Sequence, residues 1–241
     1  MKTIIHPADQ RGAANHGWLN AKHSFSFANY FDRNKMHFGV LRVLNDDIIA
    51  PAMGFGTHPH DNMEIITIPL KGALKHKDSM GHEEVITAGE IQVMSAGTGI
   101  QHSEFNAKSD EEINLLQIWL FPKVRNVRPR YQQIALPDLQ SEGILHQVLS
   151  PKEEDEGVWI HQDAWFHMGT FAQGQGVRYA MKGENTGVYA FVIEGDFEVA
   201  GQVLGKRDAL GVWESEEVEL VANSNSSRIL LMEVPMALPR I

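Results

Sequence analysis

The chain has 241 residues, a formal net charge of −10 and no cysteine. Without cysteine there are no disulfides, thiolate metal sites or cysteine nucleophiles, and the negative charge argues against a direct nucleic-acid surface. No run of about 18 apolar residues suits a membrane span, and residues 1–9 hold no apolar leader, so a cytoplasmic protein is expected.

Short β segments follow one another along the chain. Residues 11–18 are rich in small and polar side chains and read as loop or irregular strand. Residues 23–28, His-Ser-Phe-Ser-Phe-Ala, alternate polar with aromatic, the period of a half-buried strand. Residues 40–44 form a strand, Asn45-Asp46-Asp47 turns it, and residues 48–50 form a strand that stops at Pro51. Next comes Gly54-Phe55-Gly56-Thr57-His58-Pro59-His60, followed by Glu64. His60 and Glu64 are four apart, a helical spacing, but the glycines, Pro59 and the β-branched run 65–68 exclude a helix. Pro59 has no backbone N–H to donate, so its strand is an edge, a bulge or a strand start.

Lys71-Gly72 turns the chain, and residues 73–78 return as a hairpin partner. Residues 91–94 are a strand, 95–99 a tight glycine loop, and 113–121 a long apolar strand ended by Pro122. Residues 123–150 read as a crossover, and the acidic run 152–157 as a solvated loop. From residue 158 the β pattern resumes. Residues 188–199 resemble 65–76, residues 207–213 sit where 89–95 sit, and residues 228–235 match 115–122 down to the closing proline. This is an internal repeat of a whole β unit. Strands this short, with turn signals every eight to twelve residues, indicate a sandwich or barrel.

On a strand, residues i and i+2 share a face. His58 and His60 then face one way from one strand, and His102 and Glu104 from another. Three neutral nitrogens and one carboxylate oxygen are donors for a transition metal, and iron, manganese, cobalt, nickel, copper and zinc all accept such a set. Ligating histidines need their other nitrogen fixed by an acceptor, so Glu64 reads as such a partner or as a structural acid, with ligation as the other reading. His16 and His23 read as structural. Gly97 and Gly99 serve their turn. Phe25, Phe27, Phe55 and Trp119 belong to the core, some of them beside a cavity. The second half has neither His-x-His nor His-x-Glu, so no metal is expected there.

Gly56, His58, His60, Glu64 and Gly72, then Gly89, Gly97, His102 and Asn106, resemble the two signature motifs of the cupin superfamily. Residues 11–18, 23–27, 41–47, 54–60 and 95–104 (Arg-Gly-Ala-Ala-Asn-His-Gly-Trp, His-Ser-Phe-Ser-Phe, Leu-Arg-Val-Leu-Asn-Asp-Asp, Gly-Phe-Gly-Thr-His-Pro-His, Ser-Ala-Gly-Thr-Gly-Ile-Gln-His-Ser-Glu) resemble the pirin family. In particular they are similar to short bacterial pirins with quercetinase activity. The resemblance covers residues 1–122 and is looser beyond.

It implies an all-β protein of two packed cupin barrels (double-stranded β-helix, jelly-roll) with few short helices. Residues 1–130 would form the metal-binding barrel and residues 131–241 a barrel without ligands. It implies His58, His60, His102 and Glu104 as ligands of one divalent ion, iron(II) foremost. It also implies a dioxygenase that opens a flavonol such as quercetin. Glu104, ligand and base at once, would take the 3-hydroxyl proton; dioxygen would add across C2 and C4, and carbon monoxide would leave. The alternative is a non-catalytic, metal-dependent, redox-sensing regulator that binds a protein partner, since mammalian members act as nuclear cofactors of transcription factors.

Overall fold

The apolar runs of the sequence become strands covered on both sides. Glu64–Lys71, Ile113–Leu120, Thr186–Glu194 and Ser227–Pro235 are buried almost without interruption. A strand with one solvated face alternates; these do not, because two large sheets pack against each other. The computed structural model describes residues 1–139 and 143–239, and there the regular structure is 22 strands and one 3-10 turn, Ala8–Gln10. The few short helices expected thus reduce to that turn among the described residues. None of these residues forms a helix long and apolar enough to cross a membrane.

One seven-stranded sheet runs in the order Arg130–Ala135, Glu90–Ser95, Glu64–Lys71, Ile113–Leu120, Leu41–Ile49, Leu19–His23, Gly12–Asn15. The other runs Lys2–His6, Ala209–Trp213, Thr186–Glu194, Ser227–Pro235, Trp165–Phe171, His146–Ser150, Val158–Trp159. Leu44, Ile66 and Ile118 from the first meet Phe166, Tyr189 and Leu230 from the second in one continuous core. Each large sheet has a four-stranded companion. In the first half it is Gly54–His60, Ile100–Asn106, Ala73–Asp78, Glu83–Thr87; in the second it is Gly176–Ala180, Glu217–Ala222, Phe197–Val199, Gln202–Leu204. The repeat seen in the sequence is therefore a duplication of the whole seven-plus-four topology, giving an N-terminal and a C-terminal cupin domain.

Four expectations need correction. Residues 65–76 are not a hairpin: Glu64–Lys71 pairs with strands of the large sheet, and Ala73–Asp78 with strands of the small one. The chain changes sheets at Gly72, whose φ is +80° and whose added Cβ would stand 3.2 Å from the Cα of Ile113. Only glycine takes that corner at little cost, and Gly195 repeats it at φ +73°. Asn45-Asp46-Asp47 is no turn but the middle of the continuous strand Leu41–Ile49, held by ladders on both sides. The strand expected over residues 23–28 ends at His23; beyond it Phe25 enters the shared core while Phe27 stays half-buried. The crossover 123–150 contains the strand Arg130–Ala135, which pairs with Glu90–Ser95.

The division at 130/131 is crossed from both directions. Arg130–Ala135 completes the first sheet, while Lys2–His6, at the very start of the chain, pairs with Ala209–Trp213 of the second. His6 Nδ1 lies 2.8 Å from the Tyr189 hydroxyl and fastens that crossing.

His167 gives the fold a pH dependence. It is buried, packs edge-on to Tyr179 at 4.9 Å, and its Nδ1 has no hydrogen-bond partner among the described residues. Burial, reinforced by Lys182, pushes its pKa down to about 4. An unfolded histidine titrates near about 6.5, so between those values the unfolded chain binds the extra proton. Stability is present above about pH 6.5 and is lost as pH falls toward 4. Urea unfolding at about pH 7 and about pH 5 should show the wild-type protein losing about 1–2 kcal/mol more than His167→Gln over that interval. Equal losses would remove His167 as the cause.

Candidate metal centre

The strand Gly54–His60 lies at the edge of its sheet, where the missing N–H of Pro59 breaks no interior ladder. Its neighbour is Ile100–Asn106, and their register sets His58 opposite His102. The register then slips: Glu104 faces Phe55, so the edge strand holds one extra residue between Phe55 and His58. Such a bulge re-aims side chains. Here the Gly56 carbonyl comes within 2.8 Å of His58 Nδ1 and accepts its hydrogen bond. His58 Nε2 faces His102 Nε2 at 3.0 Å. His60 Nε2 is buried with no hydrogen-bond partner among the described residues.

The donor nitrogens of His58, His60 and His102 all lie within 4.8 Å of one another. Burial, then the neighbouring imidazoles, pushes His60 down to about 4 and His102 to about 3. Both rings are therefore neutral near pH 7. Three imidazole nitrogens converging at such distances match the requirement of a first-row transition ion.

Glu104 stands outside that tight cluster. It is buried on the same strand face as His102, and Gln117 Nε2 donates to its two oxygens at 3.0 and 3.1 Å. Thr67 Oγ1 in turn donates to Gln117 Oε1 at 3.1 Å, which fixes the amide. Register shows why these groups meet. Thr67, Gln117, Asn45 and His23 occupy one row across four adjacent strands. His23 Nδ1 sits 2.9 Å from Asn45 Oδ1 and closes the row.

Asn45 and Gln117 of the row, with His58 and His60, border a cavity of about 390 Å³. Its aromatic walls are Trp18, Phe27, Phe55 and Trp119; its polar walls include His58, His60, Glu104, Gln117, Asn45 and Asp47. The aromatics brace one another, with Trp18 against Phe55 at 5.2 Å, Phe27 against Trp119 at 5.3 Å and His60 against Trp119 at 4.9 Å. Among the described residues no Lys or Arg lines it. Asp47 has its pKa pushed up to about 8 by burial, with Asp46 and Glu104 adding.

Glu64 turns away from the histidines. Ser95 Oγ donates to it at 2.6 Å, and burial pushes its pKa up to about 7 against the opposing pull of Ser95, the His161 N–H and Arg130. It holds the sheet and the other barrel together. His16 is exposed. His76 is fully buried, 5.4 Å ring to ring from His102 and 3.2 Å from Asp78. Sequence reasoning missed Gln117, Asn45, Asp47 and Trp18. Gln117 left a signal, a lone polar amide inside the apolar run 113–121. Asn45 and Asp47 were hidden inside an apparent turn. In the second half, the strand Glu217–Ala222 occupies the place of Ile100–Asn106 and sends Val218 and Leu220 into an apolar core.

The Pirin family model matches residues 5–120, and a model of the quercetinase C-terminal cupin domain matches residues 147–234. A protein of Escherichia coli (strain K12) named quercetin 2,3-dioxygenase is 41% identical over 231 residues, covering 96% of this chain and 98% of its own length. The chain belongs to the pirin family. A pirin-like protein of Caulobacter vibrioides is 38% identical, with 93% of this chain and 97% of that protein covered. The crystal structure of a bacterial pirin from Escherichia coli in complex with nickel(II) superposes with a TM-score of 0.91 at 39% identity, over 97% of this chain and 99% of that one.

One glycine of this pirin is a spacer for the centre. A Cβ on Gly54 would stand 2.1 Å from the Glu104 carbonyl oxygen and 2.5 Å from the Phe105 Cα, both backbone. A Cβ on Gly56 would meet nothing within 4 Å. Gly54→Ala should therefore push the edge strand away from His102 and weaken nickel(II) binding roughly tenfold or more. Gly56→Ala should bind as the wild type does. Isothermal titration decides, and equal affinity in the two variants would dissolve the spacer argument.

Proposed function

We propose that this protein is a metal-dependent dioxygenase that opens a flavonol such as quercetin, incorporating dioxygen across C2 and C4 and releasing C3 as carbon monoxide. The observation that carries the reading is the cluster of three imidazole nitrogens, two of them from rings on the wall of an aromatic cavity that also presents Glu104. His58, His60, His102 and Glu104 would hold the ion. Iron(II) is favoured, and the same donors suit nickel, manganese, cobalt, copper or zinc. When bound, the ion supplies a Lewis acid for a phenolic oxygen and a redox route to dioxygen.

The side chains supply the rest. A Glu104 oxygen accepts the proton of the flavonol 3-hydroxyl, as a positioned general base does. Gln117 holds both oxygens and keeps the carboxylate aimed. Trp18, Phe27, Phe55 and Trp119 grip a flat ring and exclude water. With no cation among its described lining residues, the cavity favours a neutral polyphenol over a phosphate ester or a free carboxylate. The relative named quercetin 2,3-dioxygenase supports the same substrate class. The cysteine-free composition suits a cytoplasmic enzyme.

Iron-loaded protein incubated with quercetin under air should consume the flavonol absorbance and release carbon monoxide, and under argon it should do neither. Loss no faster than with metal-free protein would overturn the proposal. Glu104→Gln should retain metal while turnover falls about a hundredfold; undiminished turnover would remove the base role.

A further inference from the structure

Asp46 and Asp47 are neighbours on the strand Leu41–Ile49, so they point to opposite faces. Asp46 faces the other barrel and is fully engaged. Arg11 and Arg207 each approach it at 3.4 Å, and Asn114 Nδ2 donates to it at 2.8 Å. Asp47 faces the aromatic cavity, is 4% exposed, and its Oδ1 is buried with no hydrogen-bond partner among the described residues. The residues in register with it on either side, Ala21 and Leu115, are apolar and offer it nothing. A buried carboxyl without a hydrogen bond is a standing cost to the fold. The cavity that Asp47 lines is an open side from which a partner can come.

The cavity also holds a second unmet group. Trp119 Nε1, an N–H donor, is buried without an acceptor among the described residues. A ligand that satisfies both walls carries hydroxyl donors and an oxygen acceptor on a flat ring. We infer that Asp47 is a substrate-recognition residue whose carboxyl binds a phenolic hydroxyl other than the one that Glu104 deprotonates, so that the cavity selects polyhydroxylated aromatic rings. This rests on the dioxygenase reading for the identity of the ring. It adds a residue and a selectivity that the metal ligands do not supply.

The test separates recognition from turnover. Nickel-loaded protein under argon is titrated with quercetin and with flavone, the same skeleton without hydroxyls, following quenching of the tryptophan fluorescence. Asp47→Leu should weaken quercetin binding roughly tenfold or more, as expected for losing a hydrogen bond to a charged or strongly polar group. Asp47→Asn, which keeps an acceptor, should recover part of that loss. Flavone affinity and nickel affinity should stay within about twofold. The Tm of both variants should not fall, because an unpartnered carboxyl has been removed.

Undiminished quercetin affinity in Asp47→Leu overturns the inference. So does parallel weakening of both ligands with a lower Tm, which marks a structural role. A wild-type protein that binds neither compound overturns this inference and the proposed function together. One that binds quercetin through Asp47 yet leaves it intact in air overturns the dioxygenase reading alone.

Discussion

The packing of the two seven-stranded sheets against each other is the constraint on which the rest depends. It places Leu41, Leu44, Ile66, Ile68, Ile118 and Leu120 outside the first barrel's interior, against Phe166, Tyr189, Phe191, Leu230 and Met232 of the second. Each such side chain contributes roughly 1.5–3 kcal/mol when fully buried. The first barrel is thereby stabilised from behind, and its interior is free to be polar. A lone barrel lined by three histidines, two acids, a glutamine and an asparagine would carry those desolvation costs against its own small core. The exchange of Lys2–His6 onto the far sheet and the reach of Arg207 to Asp46 tie the halves together, so the shared layer cannot open without breaking both.

What was legible in the sequence was local and periodic. His58 and His60 share a face because strands have period two, and Pro59 announces an edge because it lacks a donor; both hold in the structure. The repeat was readable because the second copy kept its glycine corner and closing proline. What failed was pairing at a distance. A glycine at positive φ serves a hairpin and a barrel corner alike, and only the partners of Glu64–Lys71 and Ala73–Asp78 tell which. The end strands Lys2–His6 and Arg130–Ala135 went unplaced for the same reason, because the sheet edge that accepts a strand lies far away in sequence.

The polar triplet at 45–47 failed differently. Turn rules assume that consecutive polar side chains seek water. Here each finds a buried destination on alternate faces: Asn45 with His23, Asp46 with two arginines, Asp47 at the cavity. The error was informative, because a strand that carries three polar residues at its centre can be stable only where something inside the fold needs them. Gln117 follows the same logic, one amide in an apolar strand whose partners, Thr67 and Glu104, are thirteen or more positions away.

The duplication supplies an internal control for what an open acid means. Glu233, on the strand of the second barrel that corresponds to Ile113–Leu120, is completely buried. It accepts from Tyr179 and Thr186 hydroxyls at 2.7 Å each, from the Gly183 N–H at 2.7 Å and from the Lys182 N–H at 2.9 Å. Its carboxylate is answered by the protein itself, and around it Val218, Leu220 and Phe171 close an apolar interior. In the first barrel the same framework leaves Glu104 with Gln117 as its side-chain partner and Asp47 Oδ1 with none among the described residues. Buried polar groups in folded proteins are ordinarily satisfied. In two copies of one topology, the buried acid of the second is answered by the protein, while Glu104 and Asp47 of the first border a cavity beside His58 and His60.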